Sequence, residues 1–306
     1  MSKHESKKIL VVGSANTDMV IKTDRLPQAG ETILGGTFFM NPGGKGANQA
    51  VAVARLGGRI AFICKTGDDV FGHQSHELFE KEGIDISYVF SDAGSPSGVA
   101  LITVDKNGEN CIVVASGSNA HLTPDDIAAE EEAIDSADFV LMQLEIPIET
   151  VEFVAQKAAG KNKKVILNPA PARTLSKELL QNLYMITPNE TEAELITGIK
   201  ITDEASALKA AERFVELGVN HVVITLGSKG AFVYSEGVCE TVPAFKVKAE
   251  DTTAAGDIFN GALVVAIAED RPLLDAVLFA GKAAAISVTR VGAQSSAPYR
   301  NEVDVF

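Results

Sequence analysis

Residues 251–257 read Asp-Thr-Thr-Ala-Ala-Gly-Asp, and the apolar run Ile-Phe-Asn-Gly-Ala-Leu follows them directly at 258–263. The run continues to Ala268 and has the length of a helix, so residues 254–257 are expected to form its first turn. A helix N-terminus presents unpaired backbone N–H groups and the positive end of the helix dipole, and this arrangement binds anions. The small side chains of this turn would let a phosphate approach the amides closely.

Asp257 ends this stretch and would place a carboxylate beside the bound anion. A carboxylate does not help to bind an anion, but a base beside a transferring phosphoryl group is what phosphoryl transfer needs. The alternative is an ordinary capped helix, with Asp251 or Thr253 as N-cap and Asp257 as a favourable acid in the first turn. The stretch alone leaves both interpretations open.

The composition is that of an ordinary globular protein. The chain has 306 residues, of which 46% are hydrophobic and 22% are charged, and this suffices for one large α/β domain or two smaller ones. The net charge of −14, with no basic run, argues against a nucleic-acid or anionic-membrane surface. No apolar run has the length of a membrane span, and the polar start at 1–8 is unlike a signal sequence.

The cysteines indicate the redox compartment. Cys64, Cys111 and Cys239 are odd in number, widely spaced and without a C-x-x-C motif. This pattern argues against a disulfide framework and fits a reducing, cytoplasmic location.

Strand and helix patterns alternate along most of the chain. Strand patterns lie at 9–12, 60–64, 139–142, 165–167, 184–186, 222–224 and 231–233, and helical patterns lie at 71–82, 125–134, 149–160, 176–182, 190–196 and 203–217. The alternation predicts a doubly wound α/β fold, with a mostly parallel sheet and helices on both faces. We expect one domain over residues 1–306.

Two segments depart from this alternation, at about 19–40 and 97–115. The first contains short β-prone runs at 20–21, 32–34 and 37–40, and the second has the pattern of a hairpin with Asn107-Gly108 in its turn. We expect the two segments to pair into a small sheet outside the main layer. Such a sheet would act as a lid over a cleft or as an interface with another subunit.

Two early loops carry groups that could bind a ligand. Residues 13–18, Gly-Ser-Ala-Asn-Thr-Asp, follow the first strand, and a simple turn is the alternative there. Residues 43–50, Gly-Gly-Lys-Gly-Ala-Asn-Gln-Ala, lead into a helix, and a plain glycine-rich helix entry is the alternative. Neither loop has the spacing of a dinucleotide fingerprint or of a P-loop.

Further polar groups follow the later strands, at the edge where open α/β sheets bind ligands. They are Glu145, residues 168–173, residues 187–192 and the loop 225–230. Asn189 and Glu192 have nearly the spacing of a capping box, and binding of metal-bound water competes with that interpretation. The loop 225–230 is either a nucleotide-contacting loop or a hairpin turn.

Taken together, these motifs resemble those of the ribokinase (PfkB-type) family of sugar and nucleoside kinases. The likeness covers nearly the whole chain in the family's order, through 13–18, 43–50, 66–69, 144–145, 168–173, 187–194 and 251–257. Each motif alone is a modest signal, and their combination at these spacings is a strong one. The resemblance implies a doubly wound domain with a β-sheet lid that often forms a homodimer contact. It also implies transfer of the γ-phosphate of ATP to a sugar hydroxymethyl group, with Mg²⁺ and with activation by K⁺.

The resemblance also implies a role for individual positions. Sugar contacts fall on Asn16, Asp18, Gly44, Lys45, Asn48 and Glu145, and the general base falls on Asp257. Nucleotide contacts fall on Asn189, Thr225, Gly227, Ser228, Gly230, Ala254, Ala255, Gly256 and Gly281. The K⁺ loop would use Asp251, Thr253, Ser287, Arg290, Gly292 and Ser296, and Glu192 would bind Mg²⁺ through water. Two positions depart from the family pattern: Ala254 replaces a common Gly, and Gly281 has no side chain where relatives often carry Asn or His near the adenine.

Three functions remain open at this point. The match is closest to kinases that phosphorylate D-ribose at its 5-hydroxyl. A kinase for fructose, 2-keto-3-deoxygluconate or adenosine is the second possibility, and a sugar- or nucleotide-binding regulator without turnover is the third. The presence of Asp257 argues against the regulator, since a pure binder needs no base. The lack of Trp argues against a nucleoside, and Lys45, as the only basic residue in the two sugar-contacting loops, argues against a phosphorylated sugar.

Overall fold

The computed structural model describes residues 6–306, which form two β-sheets and helices around them. The strands are β1 Lys8–Val12, β2 Asn16–Lys22, β3 Thr37–Gly43, β4 Arg59–Gly67, β5 Val89–Asp92, β6 Gly98–Val104, β7 Asn110–Ala115, β8 Phe139–Met142, β9 Lys164–Leu167, β10 Met185–Ile186, β11 His221–Thr225, β12 Ala231–Ser235 and β13 Val238–Val242. The α-helices are α1 Lys45–Arg55, α2 Val70–Lys81, α3 Pro124–Ala129, α4 Glu131–Ser136, α5 Ile148–Gly160, α6 Lys177–Gln181, α7 Glu190–Thr197, α8 Glu204–Glu216, α9 Ala255–Ala268, α10 Leu273–Ser287 and α11 Arg300–Val305.

The larger sheet has nine strands in the order β13-β12-β11-β10-β9-β8-β1-β4-β5. Its strands run parallel from β11 to β5, while β12 and β13 form an antiparallel edge. The turn at 225–230 joins β11 to β12, so its interpretation as a hairpin turn is confirmed. The predicted mostly parallel α/β sheet is confirmed as well.

The side chains of the parallel strands alternate between two buried layers, because successive strand residues point to opposite faces. Ile9 and Val11 pack with α1, α9 and α10 on one face. Leu10 and Val12 pack with α5 and α8 on the other face. Burial on both faces explains why these strands read as continuous apolar runs rather than as alternating ones.

The second sheet, here called the lid sheet, has the strand order β3-β2-β6-β7. β2 pairs with β3 in antiparallel and with β6 in parallel orientation, and β6 and β7 form the predicted hairpin with Gly108 at φ 85° in its turn. Residues 16–18, which we interpreted as part of the loop after β1, instead begin β2. Asn16 and Asp18 are therefore held by the lid sheet.

Several predicted element boundaries are wrong. The single helix predicted at 125–134 is two helices, α3 and α4, because Glu130 between them leaves the helical region at φ −118° and ψ 35°. The β-prone run at 32–34 forms no strand, and its Leu34 is 97% exposed, so no neighbouring layer packs on it. The elements β5, β13, α10 and α11 are additional to those predicted. Within residues 6–306, no helix is long and apolar enough to cross a membrane.

Candidate active site

The site lies at the carboxyl end of the main sheet, beside the end of β1. β1 lies between β4 and β8, so the chain connections lead in opposite directions from this strand. A crevice forms at such a switch point in open α/β sheets. The first turns of α1 and α9 meet here, since Asn48 of α1 contacts Asp257 of α9.

Asp257 is 5% exposed, and amide groups hold both of its carboxylate oxygens. Asn48 Nδ2 donates to Oδ2 over 2.9 Å, and Gln49 Nε2 donates to Oδ1 over 3.0 Å. Burial raises the pKa of Asp257, while the charge of Lys45 and the two amide hydrogen bonds oppose this rise. A buried carboxylate with a raised pKa is a stronger proton acceptor than one in water, as a general base requires.

Asp18, Lys45 and Glu145 surround Asp257. Glu145 Oε2 accepts hydrogen bonds from Ser14 Oγ at 2.6 Å and from the backbone N–H of Lys45 at 3.0 Å. Burial, together with the charges of Glu145 and Asp257, raises the pKa of Asp18 to about 6. Burial lowers the pKa of Lys45, but the surrounding carboxylates outweigh this effect and raise it overall. The cluster therefore combines several hydroxyl acceptors with one ammonium donor.

Asn16 is buried at the start of β2, where Asn119 fixes its side chain. Asn119 Nδ2 donates to Asn16 Oδ1 over 2.7 Å, and Asn119 Oδ1 accepts from the backbone N–H of Ala15 over 2.9 Å. Asn119 is not among the predicted site residues, and it lies in the short 3₁₀ helix Gly117–His121 after the lid hairpin. The strand that precedes it, β7, belongs to the lid sheet rather than to the main sheet, and no motif surrounds Asn119, so the sequence contains no signal for its role.

Gly44 and Gly46 allow the start of α1 to lie against the segment after β1. Gly44 has φ 87°, and a Cβ on it would lie 2.7 Å from the backbone nitrogen of Asn16. A Cβ on Gly46 would lie 2.5 Å from the backbone nitrogen of Ser14. Backbone atoms cannot yield as a flexible side chain can, so only glycine fits at both positions.

Helix α9 has no side-chain cap, and its N-cap is Ala254 at φ 58°. The alternative with Asp251 or Thr253 as N-cap is therefore wrong, and the helix begins one residue later than expected. A left-handed conformation costs an alanine about 1 kcal/mol, because its Cβ crowds the backbone. A Cβ on Gly256 would meet no atom within 4 Å, so the first turn of α9 faces open space.

Asp251 instead joins the segment before α9 to the segment after α10. Its Oδ1 accepts from Thr253 N at 2.9 Å and from Thr253 Oγ1 at 2.6 Å, and its Oδ2 accepts from Gly292 N at 2.9 Å. Burial raises the pKa of Asp251, but these hydrogen bonds, together with the charge of Lys22, outweigh it and lower the pKa overall. Within residues 6–306, this ionised carboxylate forms no ion pair. Its chemistry therefore fits a bound cation.

The other predicted members of the cation loop make local contacts. Ser287 Oγ donates to Ala284 O and Ser296 Oγ donates to Ala293 O, each over 2.8 Å. The guanidinium of Arg290 forms an ion pair with Glu302. Arg290 would thus reach a cation only through its backbone carbonyl.

Asn189 and Glu192 form the capping box at the start of α7. Glu192 Oε2 accepts from Asn189 N, and Asn189 Oδ1 accepts from Glu192 N, both over 2.8 Å. The capping interpretation is thereby confirmed. Burial raises the pKa of Glu192, which also interacts with the charges of Lys45 and Asp257. Glu192 is therefore close enough to act on the same site electrostatically.

Apart from those in the first turn of α9, the predicted nucleotide positions lie in two places. Thr225 forms a β-bridge with Asn189, and its N–H donates to Pro188 O over 2.9 Å, so the loop of Gly227, Ser228 and Gly230 lies beside Asn189. Gly281 lies in α10, where a Cβ would be 3.8 Å from the ring of Phe245.

Three buried amide side chains near Asp257, those of Gln49, Gln143 and Asn168, are not among the predicted site residues. Gln49 Nε2 also lies 3.2 Å from Asn168 Oδ1, and Gln143 Nε2 donates to Gln49 Oε1 over 2.5 Å. Asn168 Nδ2 donates to the carbonyl oxygen of Thr187 over 3.2 Å. These residues form a continuous polar chain beneath the site.

Comparison with known proteins gives one consistent result. The model of the pfkB family carbohydrate kinases matches residues 6–300. A ribokinase from Haemophilus influenzae is 48% identical over 300 residues, which cover 98% of each chain. The crystal structure of a ribokinase from Thermotoga maritima has a TM-score of 0.90 and 42% identity, with 98% of each chain covered. The structure of Arabidopsis thaliana ribokinase complexed with ribose and ATP has a TM-score of 0.91 and 32% identity, again with 98% of each chain covered.

Proposed function

The chain belongs to the pfkB family of carbohydrate kinases, and on that basis we propose that it transfers the γ-phosphate of ATP to the 5-hydroxyl of D-ribose, giving ribose 5-phosphate. The observation that carries this proposal is the buried carboxylate of Asp257 in the first turn of an uncapped helix. A base and backbone amides at a helix N-terminus are the two groups that transfer to a hydroxyl requires. The N–H of Ala255 donates to Thr252 O over 3.3 Å, so the amides of Gly256 and Asp257 are the ones that would hold the phosphoryl group. The ribokinase relatives support ribose as the acceptor.

The sugar would bind among Asn16, Asp18, Lys45, Asn48 and Glu145. Asn48 Oδ1 is buried and has no hydrogen-bond partner among residues 6–306. Such an acceptor is costly to leave unpaired, and a sugar hydroxyl would satisfy it. The carboxylates of Asp18 and Glu145 offer further acceptors suited to hydroxyl groups.

The chemistry then assigns one task to each element. The attacking hydroxyl oxygen forms a bond to the γ-phosphorus while its proton passes to Asp257, and the bond from that phosphorus to the leaving ADP oxygen breaks. The amides at the start of α9 donate to the phosphoryl oxygens, on which negative charge collects. The nucleotide would extend from this turn towards Asn189 and the loop 225–230.

A kinetic comparison of acceptors tests the proposal. We expect kcat/KM for D-ribose to exceed that for fructose, fructose 1-phosphate, 2-keto-3-deoxygluconate and adenosine by about a hundredfold or more, because a misplaced hydroxyl leaves a buried polar group unpaired. The measurement is ATP consumption with each acceptor, with ATP alone as the blank. A higher kcat/KM for any other acceptor would overturn the assignment of ribose and leave the family assignment intact.

Mg²⁺ and K⁺ fit the site in different ways. Both oxygens of Glu192 already accept from Asn189, so this carboxylate would hold Mg²⁺ through water rather than directly. Mg²⁺ would neutralise charge on the phosphates of ATP. Asp251 fits K⁺, with backbone carbonyls of the segment 287–296 as further oxygen ligands. K⁺ would stabilise this loop next to the first turn of α9 without touching the substrate.

The rate should accordingly rise when K⁺ replaces Na⁺ at constant ionic strength. Asp251→Asn should remove most of this increase, because it removes the charge that attracts the ion. Glu250→Gln is the matched control, since Glu250 is an exposed neighbouring acid, and it should keep the response. Equal rates in both salts for the unmodified enzyme would contradict a K⁺ site.

We also propose that the lid sheet joins two copies of the chain. Its strand register places Ile21, Phe38, Met40, Leu101 and Val113 on one face, and each of these side chains is at least 42% exposed. A contiguous apolar face of this kind is typical of an interface. Sedimentation at micromolar concentration measures the assembly, and a purely monomeric protein would refute this proposal.

A further inference from the structure

The amide chain beneath Asp257 has a defined direction. An ionised carboxylate only accepts hydrogen bonds, so Gln49 must turn its Nε2 towards Asp257. Asn168 requires the same orientation, because its Nδ2 is engaged by the carbonyl oxygen of Thr187 and its Oδ1 faces Gln49. Two acceptors, Asp257 Oδ1 and Asn168 Oδ1, thus each require that Gln49 turns its Nε2 towards the base.

Gln143 completes the chain at a cost. Because Nε2 of Gln49 is turned to Asp257, Oε1 of Gln49 faces Gln143. Gln143 must therefore donate from its Nε2 to this oxygen, over 2.5 Å. Gln143 Oε1 is then left buried and without a hydrogen-bond partner among residues 6–306. Gly13 leaves room for this oxygen, since a Cβ there would lie 2.1 Å from it. An unpaired buried acceptor is unfavourable, so this arrangement calls for an explanation.

We propose that Gln49 and Gln143 are positioning residues for phosphoryl transfer: they fix the direction of the Asp257 carboxylate and keep a hydrogen-bond donor on its Oδ1. Gln49 acts directly on the base, and Gln143 acts by locking the orientation of the Gln49 amide. The unpaired oxygen of Gln143 is the consequence of ending this chain in a protein interior. The inference rests on the proposed role of Asp257 as base.

The chain also affects how readily Asp257 loses its proton. Hydrogen bonds to the ionised form of a carboxylate favour that form, and this effect opposes the burial that raises the pKa of Asp257. The charged groups that interact with Asp257 are Lys45 of α1, Asp18 of β2, Glu145 after β8 and Glu192 of α7. Loss of the Gln49 donor should therefore raise the pKa of Asp257, while these four charged groups stay as they are.

The test is Gln49→Met, which removes the donor at nearly constant length. We expect kcat to fall about ten- to a hundredfold, because the carboxylate loses its fixed direction, while KM for the sugar stays within about twofold. Transfer needs ionised Asp257, so the acid limb of the kcat–pH profile should move up by about one pH unit. Gln143→Met should produce smaller changes in the same directions, and it serves if Gln49→Met does not fold.

Two further measurements separate the possible outcomes. Thr150→Val removes another buried polar bond, from Thr150 Oγ1 to Leu122 O, and should leave the pH profile unchanged. Carbon-13 NMR titration of the Asp257 carboxyl gives the pKa without turnover, and its midpoint should rise in Gln49→Met. An unchanged midpoint, or an unchanged kcat and pH profile, would overturn the positioning role. Failure of the base itself would appear separately, as turnover in a variant without the Asp257 carboxylate.

Discussion

Asp257→Asn is expected to lower kcat by about two to four orders of magnitude, with the fold and ATP binding retained. An amide of the same shape cannot accept the proton that the sugar hydroxyl must lose. The substitution also removes a buried charge, which offsets the poorer match of the new amide to the donors Asn48 and Gln49. The measurements are kcat for ribose, the affinity for ATP by calorimetry and the melting temperature.

The matched control is Asp275→Asn. Asp275 also lies in the first turn of a helix, α10, but it is exposed. This variant should keep normal turnover. Near-normal turnover in Asp257→Asn would remove Asp257 from its role as base, and a fall confined to ATP affinity would assign it to nucleotide binding instead.

Gly256→Ala is expected to lower kcat by about a hundredfold, the loss typical of removing a donor to developing negative charge. A methyl group on Gly256 would enter the open space above the first turn of α9, where we place the phosphate. The protein without ligand has no atom there to clash with. Alanine also favours a helix over glycine by about 1 kcal/mol, so the melting temperature should not fall.

Gly160→Ala provides the comparison for this helical glycine. Gly160 is the last residue of α5, and a Cβ there also meets no atom within 4 Å. This variant should change neither kcat nor the melting temperature appreciably. If Gly256→Ala leaves kcat unchanged, the first turn of α9 does not bind the phosphoryl group.

The sequence predicts the main layers because their signals are local. A strand such as Ile9–Val12 is continuously apolar and a helix such as α8 is periodic, so both appear without knowledge of their neighbours. The sequence also predicts that the two lid segments pair, but the parallel orientation of β2 and β6 joins segments about eighty residues apart and leaves no local pattern. For the same reason Asn16 and Asp18 were assigned to a loop.

Among the candidate site residues, those within motifs were easier to predict than those that support them. Asn48, Glu145 and Asp257 lie at strand or helix ends and converge in the structure, as expected. Asp251 was a candidate N-cap by local rules, but its contact with Gly292 across the fold determines its conformation. Asn119 and Gln143 contribute through contacts more than ninety residues away, which no spacing rule detects.

The alternation of side chains along β2 also provides a position at which the enzyme can be labelled away from its sugar site. Asn16 and Asp18 project from one face of the lid sheet, whereas Ile21 and the exposed apolar side chains that we place with it between two copies of the chain project from the opposite face. The exposed thiol of Cys111 lies on this second face, because Cys111 pairs with Thr103, which pairs with Ile21. Cys239 is the other exposed thiol, so it would first be replaced by serine. A fluorophore attached to Cys111 would then report what covers that face without contacting the residues that bind the sugar.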